Sequence, residues 1–109
     1  MVKLYKINKK LKIEKGQEII KEIFSNNDVK MEIITSNNAS SPKGFWYNQD
    51  QNEFVYLSKG KAILNIDNKI YNLKKGDYLN IPANLKHRVE KTSKKCIWLC
   101  VFYKGKIND

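Results

Sequence analysis

The residues best suited to chemistry are few, because the chain of 109 residues contains a single histidine, His87. It ends the stretch 76–87, which is Gly-Asp-Tyr-Leu-Asn-Ile-Pro-Ala-Asn-Leu-Lys-His. An imidazole changes charge near neutral pH, so such a residue can serve as an acid, a base or a metal ligand. The alternative is a histidine in a half-buried sheet whose ring bonds a backbone carbonyl. The local sequence leaves both interpretations open.

The residues around His87 predict how it is positioned. Gly76 is expected at a turn with positive φ, and Pro82 should end the short apolar strand that precedes it. Asn84 then tolerates a left-handed turn conformation. Residues 86–90 alternate as a second strand that places His87 on the same face as an apolar residue.

The second candidate is Glu53, which precedes an apolar strand. If the chain stays extended, period two puts Glu53 on one face together with Tyr47, Gln49, Gln51, Val55 and Leu57. We expect Val55 and Leu57 in the core, and Glu53 and Gln49 at the mouth of a pocket. The alternative for Glu53 is a solvated acid at a strand end, paired with one of the many lysines.

Aromatic residues 45–47 lie between a flexible loop and a polar string. Aromatic side chains bury large areas and need no ligand to explain them. Their position nevertheless predicts at least one of them at a pocket rim. We expect Trp46 in the core or against the ligand, and Tyr47 in the pocket.

Length and composition restrict the classes of function that the chain can have. The length of the chain predicts one domain over 1–109. We find no apolar run long enough to cross a bilayer and no signal-peptide pattern in the sequence, so we expect a cytoplasmic protein. The net charge is +10, but 20 of the 21 basic residues are lysine. Base-edge and bidentate phosphate recognition favour arginine, so specific nucleic-acid binding is not expected. Cys96 and Cys100, four apart in one predicted strand, are too far apart for a disulfide and are expected as buried thiols.

Short strands separated by turn residues predict an all-β sandwich or barrel. The expected hairpin turn is Asp67-Asn68, whose residues tolerate positive φ. One segment, 17–25, fits a short amphipathic helix, with an irregular strand as the alternative. The other predicted strands cover 4–13, 29–33, 54–57, 62–66, 70–73, 78–81, 86–90 and 97–103.

The spacing in 76–91 resembles the second sequence motif of the cupin family. That motif has a glycine, a proline, a second glycine, a histidine and an asparagine, and Gly76, Pro82 and His87 match three of them. Asn84 stands at the second glycine and Lys91 at the asparagine.

The first cupin motif is matched only in its second half. Glu53 and Gly60 fit, whereas the two histidine positions fall on Tyr47 and Gln49. The resemblance covers 41–103 and implies a cupin jelly-roll barrel (double-stranded β-helix) on which 1–40 pack as strands and at most one short helix. The run 44–55 also resembles a group of small single-domain cupins.

The resemblance implies a small polar ligand inside the barrel. Many cupins are metal-dependent enzymes such as isomerases, epimerases or oxygenases, whereas others bind or sense a ligand without metal. Glu53 and His87 would be the catalytic residues, Tyr47, Gln49 and Trp46 the ligand-binding ones, and Gln49, Glu53 and His87 the metal ligands. With one imidazole in this set, a divalent metal such as manganese, iron, nickel or zinc is expected to be held weakly or to be absent. The final strand, apolar on both faces, predicts a homodimer.

Overall fold

Alternating residue patterns fold into strands between residues 18 and 103 of the chain, which a computed structural model describes over residues 1–8 and 10–107. Five strands form one antiparallel sheet in the order β1-β2-β8-β3-β6, and three form another in the order β5-β4-β7. The all-β jelly-roll prediction is therefore confirmed. The strands are β1 (Glu18–Ser25), β2 (Val29–Ser36), β3 (Asn52–Lys59), β4 (Lys61–Ile66), β5 (Lys69–Lys74), β6 (Tyr78–Ile81), β7 (His87–Thr92) and β8 (Cys96–Tyr103).

The core lies between the two sheets and is built by alternate residues of the central strands. Val55 and Leu57 of β3 are buried as predicted, and they pack with Leu64 of β4 and Trp98 of β8. Burying such a side chain stabilises the fold by about 1.5–3 kcal/mol. The same alternation that fills this core directs Glu53, two residues before Val55, toward the interior.

The turns that position His87 form as predicted. The backbone φ angle is +95° at Gly76 and +64° at Asn84, and β6 ends at the residue before Pro82. The hairpin between β4 and β5 turns at Asp67 and Asn68, which both have positive φ.

Gly60 forms the tight connection from β3 to β4, and its φ is +87°. A Cβ atom at this position would lie 2.2 Å from the Lys95 carbonyl oxygen and 2.5 Å from Ser93 Oγ. Only glycine fits without moving the β7–β8 loop. This contact gives a physical reason for the glycine at this place in the sequence.

The predicted helix over 17–25 is wrong, because this segment is the edge strand β1. Its pairing with β2 shifts register between Glu22 and Phe24, leaving Ile23 outside the ladder. A β-bulge of this kind breaks the period of two, so the apolar residues acquire a spacing that imitates a helix. Within residues 1–8 and 10–107, no helix is long and apolar enough to cross a membrane.

The predicted edge strand over 4–13 is also wrong for the residues described there, 4–8 and 10–13. Lys9 lies outside the described residues. The segment is held to the sheet near its end, where Asn37 Nδ2 donates to the Ile13 carbonyl over 2.7 Å and the Gly16 amide donates to the Asn37 carbonyl over 2.6 Å. The sheet edge that it was expected to occupy is taken by β1, which pairs with β2 through a short hairpin.

Candidate functional site

The two sheets surround a cavity of about 330 Å³ that is partly open to solvent. Both sheets contribute polar and apolar side chains to its wall, and four of the five predicted site residues lie in it. The lining residues are Glu18, Ile20, Lys30, Glu32, Ile34, Ser36, Tyr47, Gln49, Gln51, Glu53, Val55, Leu64, Ile81, His87, Val89, Thr92, Trp98, Cys100 and Phe102.

Glu53 and His87 form a hydrogen-bonded pair in the wall of this cavity. They lie at the starts of β3 and β7, on opposite sheets, and His87 Nε2 donates to Glu53 Oε1 over 3.1 Å. Their side chains are only 13% and 8% exposed, so solvent screens the pair little. Of the two interpretations of Glu53, the solvated strand-end acid is therefore wrong.

The two ring nitrogens of His87 both face oxygen acceptors. Nδ1 lies 3.0 Å from the Leu85 carbonyl, and Nε2 faces the Glu53 carboxylate. Because both partners accept, the geometry fits an imidazolium that donates from each nitrogen. Burial lowers the pKa of His87, but the hydrogen bond to Glu53, the bond to Leu85 and the charge of Glu53 together raise it above its usual 6.5.

Tyr47 and Gln49 reach the site because their segment lies along the chain that leads into β7. The backbones of Tyr47 and His87 exchange hydrogen bonds of 2.7 and 2.9 Å, and the Asn84 amide donates to the Gln49 carbonyl over 2.7 Å. The Tyr47 ring stacks on the imidazole with centroids 5.6 Å apart. Gln49 Nε2 donates to Glu53 Oε1 over 3.2 Å. Burial, with the charges of Glu18 and Glu53, raises the pKa of Tyr47, so it stays a neutral phenol.

Trp46 lies outside the cavity and is half-buried, although the sequence suggested a core or ligand-binding position. Its ring is covered by Lys86 Nζ at 4.7 Å and by the Arg88 guanidinium at 5.9 Å. The same guanidinium donates to the carbonyl oxygens of Pro42 and Phe45 over 3.1 and 3.0 Å. Trp46 and Arg88 therefore fix the loop that presents Tyr47.

Sequence reasoning missed the contribution of β1 and β2 to the cavity. Glu18 of β1 and Lys30 and Glu32 of β2 all line it. The alternation of β2 predicted its faces correctly, but the polar face points into the barrel and the apolar one outward. The helix prediction for 17–25 hid Glu18, and only sheet pairing could have placed it.

Cys96 and Cys100 are free and buried, as the sequence predicted. Burial and the charge of Glu18 raise the pKa of Cys96 to about 12. Burial, with the charges of Glu53 and Glu32, raises the pKa of Cys100 further. Cys100 lines the cavity, but as a neutral thiol it is a poor nucleophile and a poor metal ligand.

The donor set does not fit a tightly bound metal ion. Among the described residues, no group of three or more His, Cys, Asp and Glu side chains is arranged to hold one. A metal would also need a lone pair from His87, whose ring nitrogens both face acceptors. Gln49, the third predicted ligand, directs its amide nitrogen to Glu53.

A second, wider groove of about 480 Å³ lies between the N-terminal segment and the β2 and β8 strands. Its charged wall consists mainly of surface lysines, and among its described lining residues there is neither histidine nor cysteine. It offers no acid–base pair comparable to that of the barrel.

Comparison with known families agrees with this geometry. A family model described as the cupin domain matches residues 37–102, which span β3 to β8 and contain both Glu53 and His87. The chain belongs to the cupin family. A search of curated proteins finds no match to this cupin.

Solved structures similar to this cupin include proteins from several bacteria. A candidate mannose-6-phosphate isomerase from Ralstonia eutropha JMP134 is 30% identical, with a TM-score of 0.81 over 94% of this chain and 100% of that one. An RmlC-like cupin from Shewanella frigidimarina is 18% identical, with a TM-score of 0.71 over 84% and 79% of the two chains. KdgF from Halomonas sp. is 14% identical, with a TM-score of 0.71 over 88% and 87%. The last two show the shared fold alone.

Proposed function

We propose that this cupin binds a small polar molecule in its barrel, and that the buried Glu53–His87 pair anchors it. The observation that carries the proposal is this pair in the wall of a 330 Å³ cavity, a volume suited to a small metabolite. Apolar side chains such as Val55, Leu64 and Ile81 share the cavity wall with the pair, so a ligand there would exchange water for a few directed hydrogen bonds.

The bonds already present indicate where a ligand would attach. The imidazole of His87 and the amide of Gln49 both donate to Glu53 Oε1. We therefore expect Oε2 to accept from the ligand and the Tyr47 hydroxyl, at the open side, to contact it as well. Tyr47 is 41% exposed, which leaves its ring accessible to an entering molecule.

Native mass spectrometry and thermal-shift screening against polar metabolites would test this proposal. A ligand found in this way should bind at least about tenfold more weakly to Glu53→Gln, because a charged hydrogen bond is lost. Asp50→Asn is the matched control, since Asp50 is an exposed acid outside the cavity lining. Unchanged binding in both Glu53→Gln and His87→Gln would contradict the proposed site.

The same pair supports a second candidate, an enzyme that moves a proton. His87 carries a proton on Nε2 toward the cavity, and Glu53 can accept one, so the two could act as general acid and base without a metal. Incubating the ligand with protein in D₂O and detecting carbon-bound deuterium would favour the enzyme. Tight binding without exchange would favour a sensor.

We also propose that the protein is a homodimer through the outer face of its five-stranded sheet. Alternate residues of that sheet point away from the core and are apolar, and in one chain they are half-buried or exposed. They include Ile19, Met31, Ile33, Phe54, Tyr56, Leu99 and Val101. A second copy would remove this surface from water.

The two free buried thiols fit a cytoplasmic protein, since thiols stay reduced there. Specific nucleic-acid binding is not part of the proposal. The lysines are spread over many elements, and the only arginine, Arg88, holds a loop of its own chain. Any binding to DNA should be weak and should vanish with salt.

A further inference from the structure

We infer that the ligand of the barrel carries a positive charge, in the form of a small organic amine. This inference rests on the proposed binding function and names the class of ligand. It follows from the sign of the charge in the cavity, which is opposite to that of the protein as a whole.

Carboxylates outnumber ammonium groups in the cavity wall. Glu18, Glu32 and Glu53 line it, and Lys30 is the one lysine among the lining residues. The wall is therefore net negative whether or not His87 is protonated. This composition is unusual for the chain, in which Lys and Arg outnumber Asp and Glu by 21 to 11.

Two of these carboxylates are largely buried, so solvent screens their charges only weakly inside the barrel. The side chains of Glu32 and Glu53 are 14% and 13% exposed. Glu53 is paired with His87, whereas Glu18 is an exposed residue of the cavity wall whose Oε2 accepts a hydrogen bond from the Ser36 hydroxyl over 3.4 Å. Because the described residues give this carboxylate no cationic partner, an incoming cation can pair with it in place of water.

The cavity wall already receives one ammonium group from the chain itself. Lys30 Nζ lies 3.6 Å from Glu32 Oε2 and 4.7 Å from the centre of the Phe102 ring. A carboxylate together with an aromatic face is a typical environment for an organic cation. The Lys30 side chain is 40% exposed, so its ammonium group can move into solvent. A ligand cation could then contact Glu32 and Phe102 in its place.

An anionic ligand fits the same wall poorly. A phosphate or carboxylate group in the barrel would face the three glutamates with only Lys30 and His87 to pair it, and both already have carboxylate partners. We therefore expect this cupin to disfavour phosphorylated sugars, although one similar structure is a candidate mannose-6-phosphate isomerase.

Three matched probes test which sign of ligand charge the cavity prefers. Benzylamine, benzyl alcohol and benzoate share a carbon skeleton and differ mainly in charge at pH 7. Binding is followed by NMR of the ¹⁵N-labelled protein at physiological salt, where surface charges are screened within about 8 Å. Of the two tryptophans, Trp98 lines the cavity and Trp46 lies outside it, so their indole N–H signals are reporter and internal control.

We expect benzylamine to shift the Trp98 signal and to bind about tenfold more tightly than benzoate, with benzyl alcohol between them. Equal binding of amine and alcohol, or tighter binding of benzoate, would overturn the inference and leave the proposed binding function standing. Failure of all three probes to shift Trp98 at tens of millimolar would count against both the inference and the proposed function.

Charge variants supply a second, independent measurement. Glu18→Gln should reduce the preference for benzylamine over benzyl alcohol about threefold, and Lys30→Gln should increase it by a similar factor. Glu14→Gln and Lys75→Gln are the matched controls, since these exposed residues lie outside the cavity. If the controls change the preference as much as the cavity variants, the overall charge of the protein sets it and the inference fails.

Discussion

Glu53 and His87 come from opposite sheets, 34 positions apart in sequence, and meet at 3.1 Å in the interior of the barrel. The carboxylate raises the pKa of the imidazole through a hydrogen bond and through its charge. The pair is thus both a polar anchor in the cavity and a contribution to the stability of the fold.

The stability of the fold should fall as pH rises above about 6.5. The pKa of His87 is higher in the folded chain than in the unfolded one, so its contribution is complete below about pH 6.5 and is lost as pH passes the folded pKa. Urea unfolding at several pH values measures this fall. His87→Gln should remove most of it.

The pKa shifts of the other cavity groups support the assignment of this pH dependence to His87. In the same pH range Tyr47 and Cys100 of the folded protein remain neutral, because burial raises their pKa values. As the only histidine, His87 also gives an unambiguous NMR titration. A midpoint at or below 6.5 in the folded protein would contradict the prediction.

Gly60→Ala should destabilise the protein by about 3 kcal/mol or more, since it combines positive φ with a clash against the β7–β8 loop. Gly76→Ala is the matched control. Gly76 also has positive φ, but a Cβ there meets no atom within 4 Å, so its cost should be about 1 kcal/mol. If urea unfolding shows equal losses of unfolding free energy for the two variants, the close contact at Gly60 adds nothing to the cost of the substitution.

Protein purified without added metal, and then washed with chelator, should contain far less than one metal ion per chain. The reason is the set of possible ligands, with one imidazole whose two nitrogens both face oxygen acceptors. Elemental analysis measures the content, and thermal unfolding with and without manganese gives a second readout. One zinc, nickel or iron ion per chain after the wash would overturn this prediction.

The protein should sediment as a dimer at tens of micromolar, and Ile33→Lys should make it a monomer. Ile33 lies on the outer face of the five-stranded sheet, where a lysine would place like charges opposite each other across a two-fold interface. Ile70→Lys is the control, because Ile70 is 50% exposed on the other sheet. A wild-type monomer, or dissociation by the control alone, would remove the proposed interface.

The sequence by itself determined the local structure around the site. Strand alternation placed Val55 and Leu57 in the core, and the turns at Gly76 and Asn84 and the strand end at Pro82 follow from backbone conformations that these residues favour. Glu53 and Tyr47 could be assigned to one face for the same reason. These features depend on neighbours in the chain.

The tertiary structure decided everything that depends on which strands pair. β1 is a strand because β2 offers it a partner, although a bulge at Ile23 gives its apolar residues a helical spacing. The polar face of β2 lines the cavity because the barrel closes on that side, which brings Glu18 and Glu32 into the wall. Periodicity divides a strand into two faces, but only the packing of one sheet on another selects the face that is buried.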